Sequence, residues 1–155
     1  MDRTDNNILF HKMFHIEGGD FTSAGLISDQ VKKILREGGF PKKVIRRISI
    51  ATFEAEMNVI CYATRGDLSL FIAHHFLKIV VDDEGDGIPD INLAMSDGYS
   101  TADEKIRELG FGAGMGLPNI RRNTDEMVLT STFRQGTHLE FIIYLERQKN
   151  MLPFE

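Results

Sequence analysis

The sequence contains very little cysteine and no tryptophan: Cys61 is the single cysteine among 155 residues. One cysteine excludes a disulfide within the chain and any metal site built from several thiolates. No apolar run approaches the roughly 20 residues that a membrane-spanning helix needs. The polar, mixed-charge stretch from Met1 to Asn7 does not resemble a secretory signal. We therefore expect a soluble, cytoplasmic protein that does not interact with membranes.

Basic residues are in the minority. The chain has 18 Lys and Arg against 23 Asp and Glu, a formal net charge of −5, which argues against nucleic-acid binding through a general basic surface. Apolar residues make up 42% and charged residues 26%, a balance typical of globular proteins. A chain of this length buries enough surface for one self-sufficient core. We predict a single domain over 1–155, with its core at about 8–146.

Apolar periodicity predicts strands and helices in an irregular order. A first strand contains Lys12 in its apolar face and is therefore placed at a sheet edge. A helix capped by Thr22 or Ser23 follows, and a longer helix runs from Pro41 to about Tyr62. The remaining predicted elements are a hairpin (67–73 and 76–82), a turn-rich segment (83–89), a helix (117–123) and two strands (126–132 and 137–145). The class is α+β: a two-layer sandwich with a mixed, mostly antiparallel sheet and helices on one face.

The first of three candidate clusters is the segment 54–58, with the sequence EAEMN. Glu54 and Asn58 are separated by four residues, so their side chains share one face of the long helix. A carboxylate can orient a hydroxyl and accept its proton, and an amide oxygen is a hard ligand suited to Mg²⁺. Taken alone, the pair also fits a solvated helix face with incidental polar residues.

The second cluster is Asp83-Glu84-Gly85-Asp86-Gly87 at the end of a predicted strand. Alternating glycines let the backbone approach a flat ligand closely. The aspartate could accept a hydrogen bond from an exocyclic amine such as that of adenine. A calcium loop is disfavoured, because Leu93 occupies the position that requires a bidentate glutamate. A tight turn remains the simpler interpretation of this segment by itself.

The third cluster is the run GAGMGL at 112–117, which precedes a predicted helix. Exposed backbone amides and a helix N-terminus together form a phosphate site. The spacing GxGxG differs from the dinucleotide fingerprint GxGxxG, and the Gly-Lys-Ser/Thr of a Walker loop is missing. A flexible hinge is the alternative interpretation.

The order of the three clusters, with a polar segment between the second and third, resembles the GHKL (Bergerat-fold) ATP-binding superfamily. The N, G1 and G2 boxes of that superfamily match 54–58, 83–87 and 112–117. The stretch 110–122 is similar to the bacterial anti-sigma and switch serine/threonine kinases. The resemblance covers roughly 41–145 and implies the Bergerat form of the α+β sandwich, with an ATP lid at about 90–114.

The resemblance also implies roles for individual residues. Glu54 would orient or deprotonate the attacking hydroxyl, and Asn58 would ligate the Mg²⁺ that bridges the phosphates. Asp83 would bind the adenine amine, with Gly85 and Gly87 letting the base lie against the backbone. The other implied nucleotide-binding residues belong to the glycine-rich loop or to the start of the last strand: Gly112, Gly114, Gly116, Leu117 and Thr137. Thr137 would reach adenine through water.

The activity implied by the resemblance is that of a regulatory protein kinase that uses ATP and Mg²⁺. Its substrate would be a serine or threonine of a small STAS-domain antagonist protein. A sigma factor is a further implied partner, and a homodimer is compatible with the family. The alternative is a non-catalytic, nucleotide-responsive module that sequesters a regulatory partner; the retained Glu54 favours the kinase. Many relatives have a histidine where this chain has Cys61-Tyr62-Ala63, and we expect Cys61 to be a small apolar filler.

Overall fold

The computed structural model describes residues 7–88, 91–96 and 116–146. Its five strands are β1 (Ile8–Glu17), β2 (Ala63–Ala73), β3 (Phe76–Gly85), β4 (Glu126–Thr132) and β5 (Gly136–Tyr144). Its helices are α1 (Leu26–Glu37), α2 (Lys42–Tyr62), α3 (Ile91–Ala94) and α4 (Gly116–Arg122). The strands form one sheet in the order β1-β2-β3-β5-β4, and all four pairings are antiparallel. The predicted α+β class is confirmed, and β1 lies at the sheet edge.

The core lies between one face of the sheet and helix α2. Strict alternation in β2 directs Leu68, Leu70 and Ile72 to this face, where all three are completely buried. Phe141 and Ile143 do the same in β5. Helices α1 and α4 pack against α2, so these three helices form a single layer over the sheet. Of the helices within the described ranges, none has both the length and the apolar character needed to cross a membrane.

Helix α1 begins differently from the prediction. The hydroxyls of Thr22 and Ser23 donate to the Asp20 carboxylate at 2.8 and 2.7 Å within a short 3-10 turn, and Gly25 takes the cap position. The predicted cap is therefore wrong, because a local acceptor satisfies both hydroxyls before the helix starts. The N-terminus of α1 is instead capped by a side chain from α2.

Strand β3 extends further than predicted. The segment 83–89 was expected to be a turn, but β3 continues through Gly85 and pairs with β2 as far as Ala63. In this register Asp83 lies opposite Gly66. Because Asp83 follows the buried Val81 at a spacing of two, its side chain points toward the helix layer. The extension therefore places a carboxylate on the covered face, at the end of a central strand.

Candidate functional site

Glu54 and Asn58 share one face of α2, as their spacing predicts, and this face is turned toward helix α4. The Asn119 side-chain Nδ2 donates a 2.6 Å hydrogen bond to the Glu54 carboxylate. One turn earlier on α4, a Cβ placed on Gly116 would lie 3.2 Å from Asn58 Oδ1. Both α2 residues are half-buried. The structure thus brings the first cluster into contact with the end of the third.

The fully buried carboxylate of α2 is Glu56, which is 1% exposed. It accepts hydrogen bonds from the backbone N–H groups of Gly25 at 3.1 Å, Ile27 at 3.3 Å and Ser28 at 3.2 Å. A negative charge at a helix N-terminus satisfies free N–H groups and complements the helix dipole. Burial raises the pKa of Glu56 above its ordinary value, and the three N–H donors oppose that shift. Glu56 therefore joins α1 to the helix that carries Glu54 and Asn58.

Asp83 is held by the start of β5. Its Oδ1 accepts a 3.0 Å hydrogen bond from the backbone N–H of Thr137. Within the described part of the chain, its Oδ2 has no hydrogen-bond partner. Burial raises the pKa of Asp83, the negative charge of Asp82 adds to the shift, and the Thr137 N–H acts against it. Asp83 and Thr137, both predicted to contact one ligand, are thus in direct contact with each other.

Asp83 also lies beside the turn of α2 that carries Asn58. Gly66 of β2 lies between Asp83 and helix α2. A Cβ placed on Gly66 would be 3.1 Å from both Asp83 Cβ and Val59 Cγ1. Val59 is the residue after Asn58. The second cluster and the first therefore border the same end of helix α2.

Ser131 of β4 is a site residue that the sequence analysis missed. Its Oγ accepts a 2.6 Å hydrogen bond from the backbone N–H of Ile88, lies 3.1 Å from Thr137 Oγ1, and donates to the Gly136 carbonyl at 3.2 Å. These contacts tie the segment after β3 to the first residues of β5. A serine at an alternating position of a strand carries no sequence signal for such a role.

The glycines of the second cluster have packing roles. Gly87 has a φ of 78°, and a Cβ there would lie 2.7 Å from the Thr132 carbonyl oxygen. A Cβ on Gly85 would lie 3.1 Å from Ala63 Cα. Gly87 therefore disfavours any larger residue, whereas a larger residue at Gly85 would require β2 to shift slightly. Their predicted contact with a base remains a prediction.

Part of the predicted site lies outside the described residues. Gly112 and Gly114 belong to this part, as does most of the predicted lid; the described portion of the lid is 91–96, which contains α3. Leu117, at the start of α4, packs against the hydrophobic core.

Cys61 lies in the last turn of α2 and packs partly buried against the core. Burial raises the pKa of its thiol to about 11. A thiol with such a pKa is almost entirely protonated at neutral pH and is a poor nucleophile. This environment agrees with the predicted role of Cys61 as an apolar filler.

Known proteins resemble the chain, although no protein-family model matches it. It is similar to the serine/threonine-protein kinase RsbT of Bacillus subtilis, with 35% identity over 118 residues that cover 74% of this chain and 83% of that protein. It is also similar to the anti-sigma F factor of Caldanaerobacter subterraneus subsp. tengcongensis, with 32% identity over 110 residues, 68% of this chain and 73% of that protein. The anti-sigma F factor of Thermoanaerobacter pseudethanolicus matches to the same extent.

Proposed function

The chain belongs to the anti-sigma factor and switch serine/threonine kinase branch of the GHKL superfamily, and we therefore propose that it is an ATP-dependent serine/threonine protein kinase. Its substrate is a serine or threonine of a small STAS-domain antagonist in a sigma-factor control pathway. One observation carries the proposal: Glu54 and Asn58 face α4 together, and Asp83 borders the same end of α2. The side chains to which we assign proton transfer, metal binding and base binding therefore border one region, which supports the proposal.

Asp83 is suited to recognise adenine. Its Oδ1 is occupied by the Thr137 N–H, so Oδ2 is the oxygen that accepts from the exocyclic amine of the base. Guanine presents a carbonyl oxygen at that position, and two acceptors facing each other would repel. The backbone N–H of Thr137 holds this carboxylate, and the Thr137 hydroxyl would reach the base through water. Gly85 and Gly87 would lie along the edge of the base. We therefore expect ATP to be preferred over GTP.

Asn58 is suited to hold a magnesium ion together with the nucleotide. Within the described ranges, no group of three or more His, Cys, Asp or Glu residues could hold a metal ion, so the ion would rely on Asn58 Oδ1, the phosphates and water. Bound Mg²⁺ would neutralise phosphate charge during transfer. The backbone amides of Gly112, Gly114 and Gly116 would surround the phosphates, and Leu117 would place the first turn of α4 beside them.

Glu54 performs the proton transfer. Its carboxylate accepts the proton of the substrate hydroxyl while that oxygen forms a bond to the γ-phosphorus. The bond between the γ-phosphorus and the β–γ bridging oxygen breaks, and ADP leaves. Phosphoryl transfer depends mainly on positioning and charge neutralisation, so one oriented carboxylate beside a metal-bound nucleotide is sufficient.

The test measures transfer of labelled γ-phosphate from Mg-ATP to a candidate STAS-domain protein. The wild type is compared with Glu54→Gln and with Glu37→Gln, a control at the exposed end of α1. We expect wild type and control to transfer label and Glu54→Gln to be at least about 100-fold slower, the usual contribution of a general base. Equal rates in all three proteins would contradict the proposal.

The names of two relatives, both anti-sigma F factors, favour a second candidate function, namely sequestration of a sigma factor. Nucleotide-dependent partner binding without label transfer would identify the chain as that non-catalytic module. Light scattering gives the molar mass of the purified chain with and without ATP. It tests whether the chain forms the homodimer that is compatible with the family.

A further inference from the structure

Helix α4 places a donor on the proposed catalytic carboxylate. The Asn119 Nδ2 lies 2.6 Å from Glu54 Oε2. An ionised carboxylate only accepts hydrogen bonds, so the amide must turn its NH₂ group toward Glu54. Its Oδ1 then faces Arg122, whose Nη1 is 3.4 Å away. Neither the N-box nor the glycine-rich motif, as described above, includes Asn119.

The contact leaves one oxygen of Glu54 for the substrate. Within the described part of the chain, Oε1 has no hydrogen-bond partner, whereas Oε2 is occupied by Asn119. A glutamate has three rotatable side-chain bonds, and a second anchor restricts the orientations that its free oxygen can adopt.

Asn119 is itself held firmly. Its neighbours Pro118 and Ile120 are buried, and its own carbonyl accepts a 2.8 Å hydrogen bond from the Asn123 side chain. At the start of the same helix, Gly116 lies against Asn58. The position of α4 therefore sets both the orientation of Glu54 and the space available to the magnesium ligand.

We propose that Asn119 is a positioning residue for Glu54, through which helix α4 aligns the carboxylate for phosphoryl transfer. This inference rests on the proposed kinase activity. In this proposal, α4 connects Gly116, a residue of the glycine-rich motif, to Glu54, the proposed proton acceptor.

The test compares wild type with Asn119→Leu, which keeps the branched shape and removes the donor, and with Arg121→Gln, an exposed control on the same helix. We expect Asn119→Leu to lower kcat about 10- to 100-fold, in the range of a misplaced catalytic group, with KM for ATP changed less than about threefold. A purely structural role would lower stability and would not lower kcat selectively in this way.

Three outcomes overturn the inference. If Glu54→Gln abolishes transfer but Asn119→Leu keeps the wild-type kcat, the kinase stands and the inference fails. If Asn119→Leu is faster than wild type, the contact restrains Glu54 instead of aligning it. If Glu54→Gln itself retains transfer, the proposed function fails first.

Should Asn119→Leu not fold, Asn119→Ala removes the donor without adding bulk beside Glu54. We expect it to lower kcat over the range expected of the leucine variant. Wild-type kcat in a folded Asn119→Ala protein would overturn the inference equally.

Discussion

The Thr137 backbone N–H donates a 3.0 Å hydrogen bond to Asp83 Oδ1. Pairing of β3 with β5 creates this contact, because Asp82 and His138 are partners in that ladder. Since the donor is a backbone group, the contact persists whatever side chain stands at 137. The Thr137 hydroxyl lies 3.1 Å from Ser131 Oγ. A substitution that removes this hydroxyl can therefore be tested without changing the orientation of Asp83.

Thr137→Val should weaken ATP binding without abolishing it. The substitution retains the N–H that holds Asp83 and removes only the hydroxyl. Loss of one water-mediated hydrogen bond corresponds to about 1 kcal/mol, or roughly a 5-fold increase in Kd. Titration calorimetry measures the change, and Thr130→Val on the exposed face of β4 is the matched control. An unchanged Kd for Thr137→Val would contradict the assigned role of the hydroxyl.

Gly116→Ala should act through Asn58. The new methyl group would lie 3.2 Å from Asn58 Oδ1, closer than side chains normally tolerate, so the amide must move. We expect the Kd for ATP in the presence of Mg²⁺ to rise about 10-fold, equivalent to about 1.4 kcal/mol, and the Kd measured in EDTA to change much less. In the Asn58→Ala background the same substitution should have little further effect. Fully additive effects would show that Gly116 acts independently of Asn58.

Glu56→Gln should change how stability depends on pH. The pKa of Glu56 is raised by burial above its ordinary 4.5, so the folded state binds the proton more tightly than the unfolded state does. This contribution to stability is complete below pH 4.5 and is lost as the pH rises through the higher folded value. The variant lacks the titration. Urea denaturation measures the unfolding free energy of both proteins. The value for wild type minus the value for Glu56→Gln should fall as the pH rises from 4.5 to neutrality. A difference that rises over this range would contradict the effect of burial.

Local patterns predicted the helices and strands well. Pro41 and the apolar period of the following residues predicted α2, and the alternation of Leu68, Leu70 and Ile72 predicted β2. The shared face of Glu54 and Asn58 follows from helix geometry alone. These features depend on residues close together in the chain, so sequence is sufficient to find them.

Contacts between distant segments escaped prediction. Glu56 received no role of its own in the sequence analysis, yet it caps helix α1. The predicted cap of that helix, Thr22 or Ser23, was wrong. Gly136, the first residue of β5, has a packing role that its sequence context does not indicate. It has a φ of 152°, and a Cβ there would lie 1.9 Å from the Asp83 carbonyl oxygen. Such approaches arise from tertiary packing, which periodicity does not encode.

The neighbouring carboxylates of β3 offer an internally controlled test of nucleotide binding. Asp83 points toward the helix layer and uses Oδ1 to hold the Thr137 N–H. Asp82 points to the exposed face, where it contacts His138. In Asp83→Asn the new amide oxygen would accept the Thr137 N–H, as Oδ1 of Asp83 does. The NH₂ group of the asparagine would then face the adenine amine, and two donors cannot form a hydrogen bond with each other.

The measurement is therefore calorimetric titration of Mg-ATP into wild type, Asp83→Asn and Asp82→Asn, with folding of each protein verified by circular dichroism. Wild type and Asp82→Asn should bind ATP with equal affinity, and Asp83→Asn should show no measurable binding. Wild-type affinity in a folded Asp83→Asn protein, or no ATP binding by wild type at all, would contradict the account.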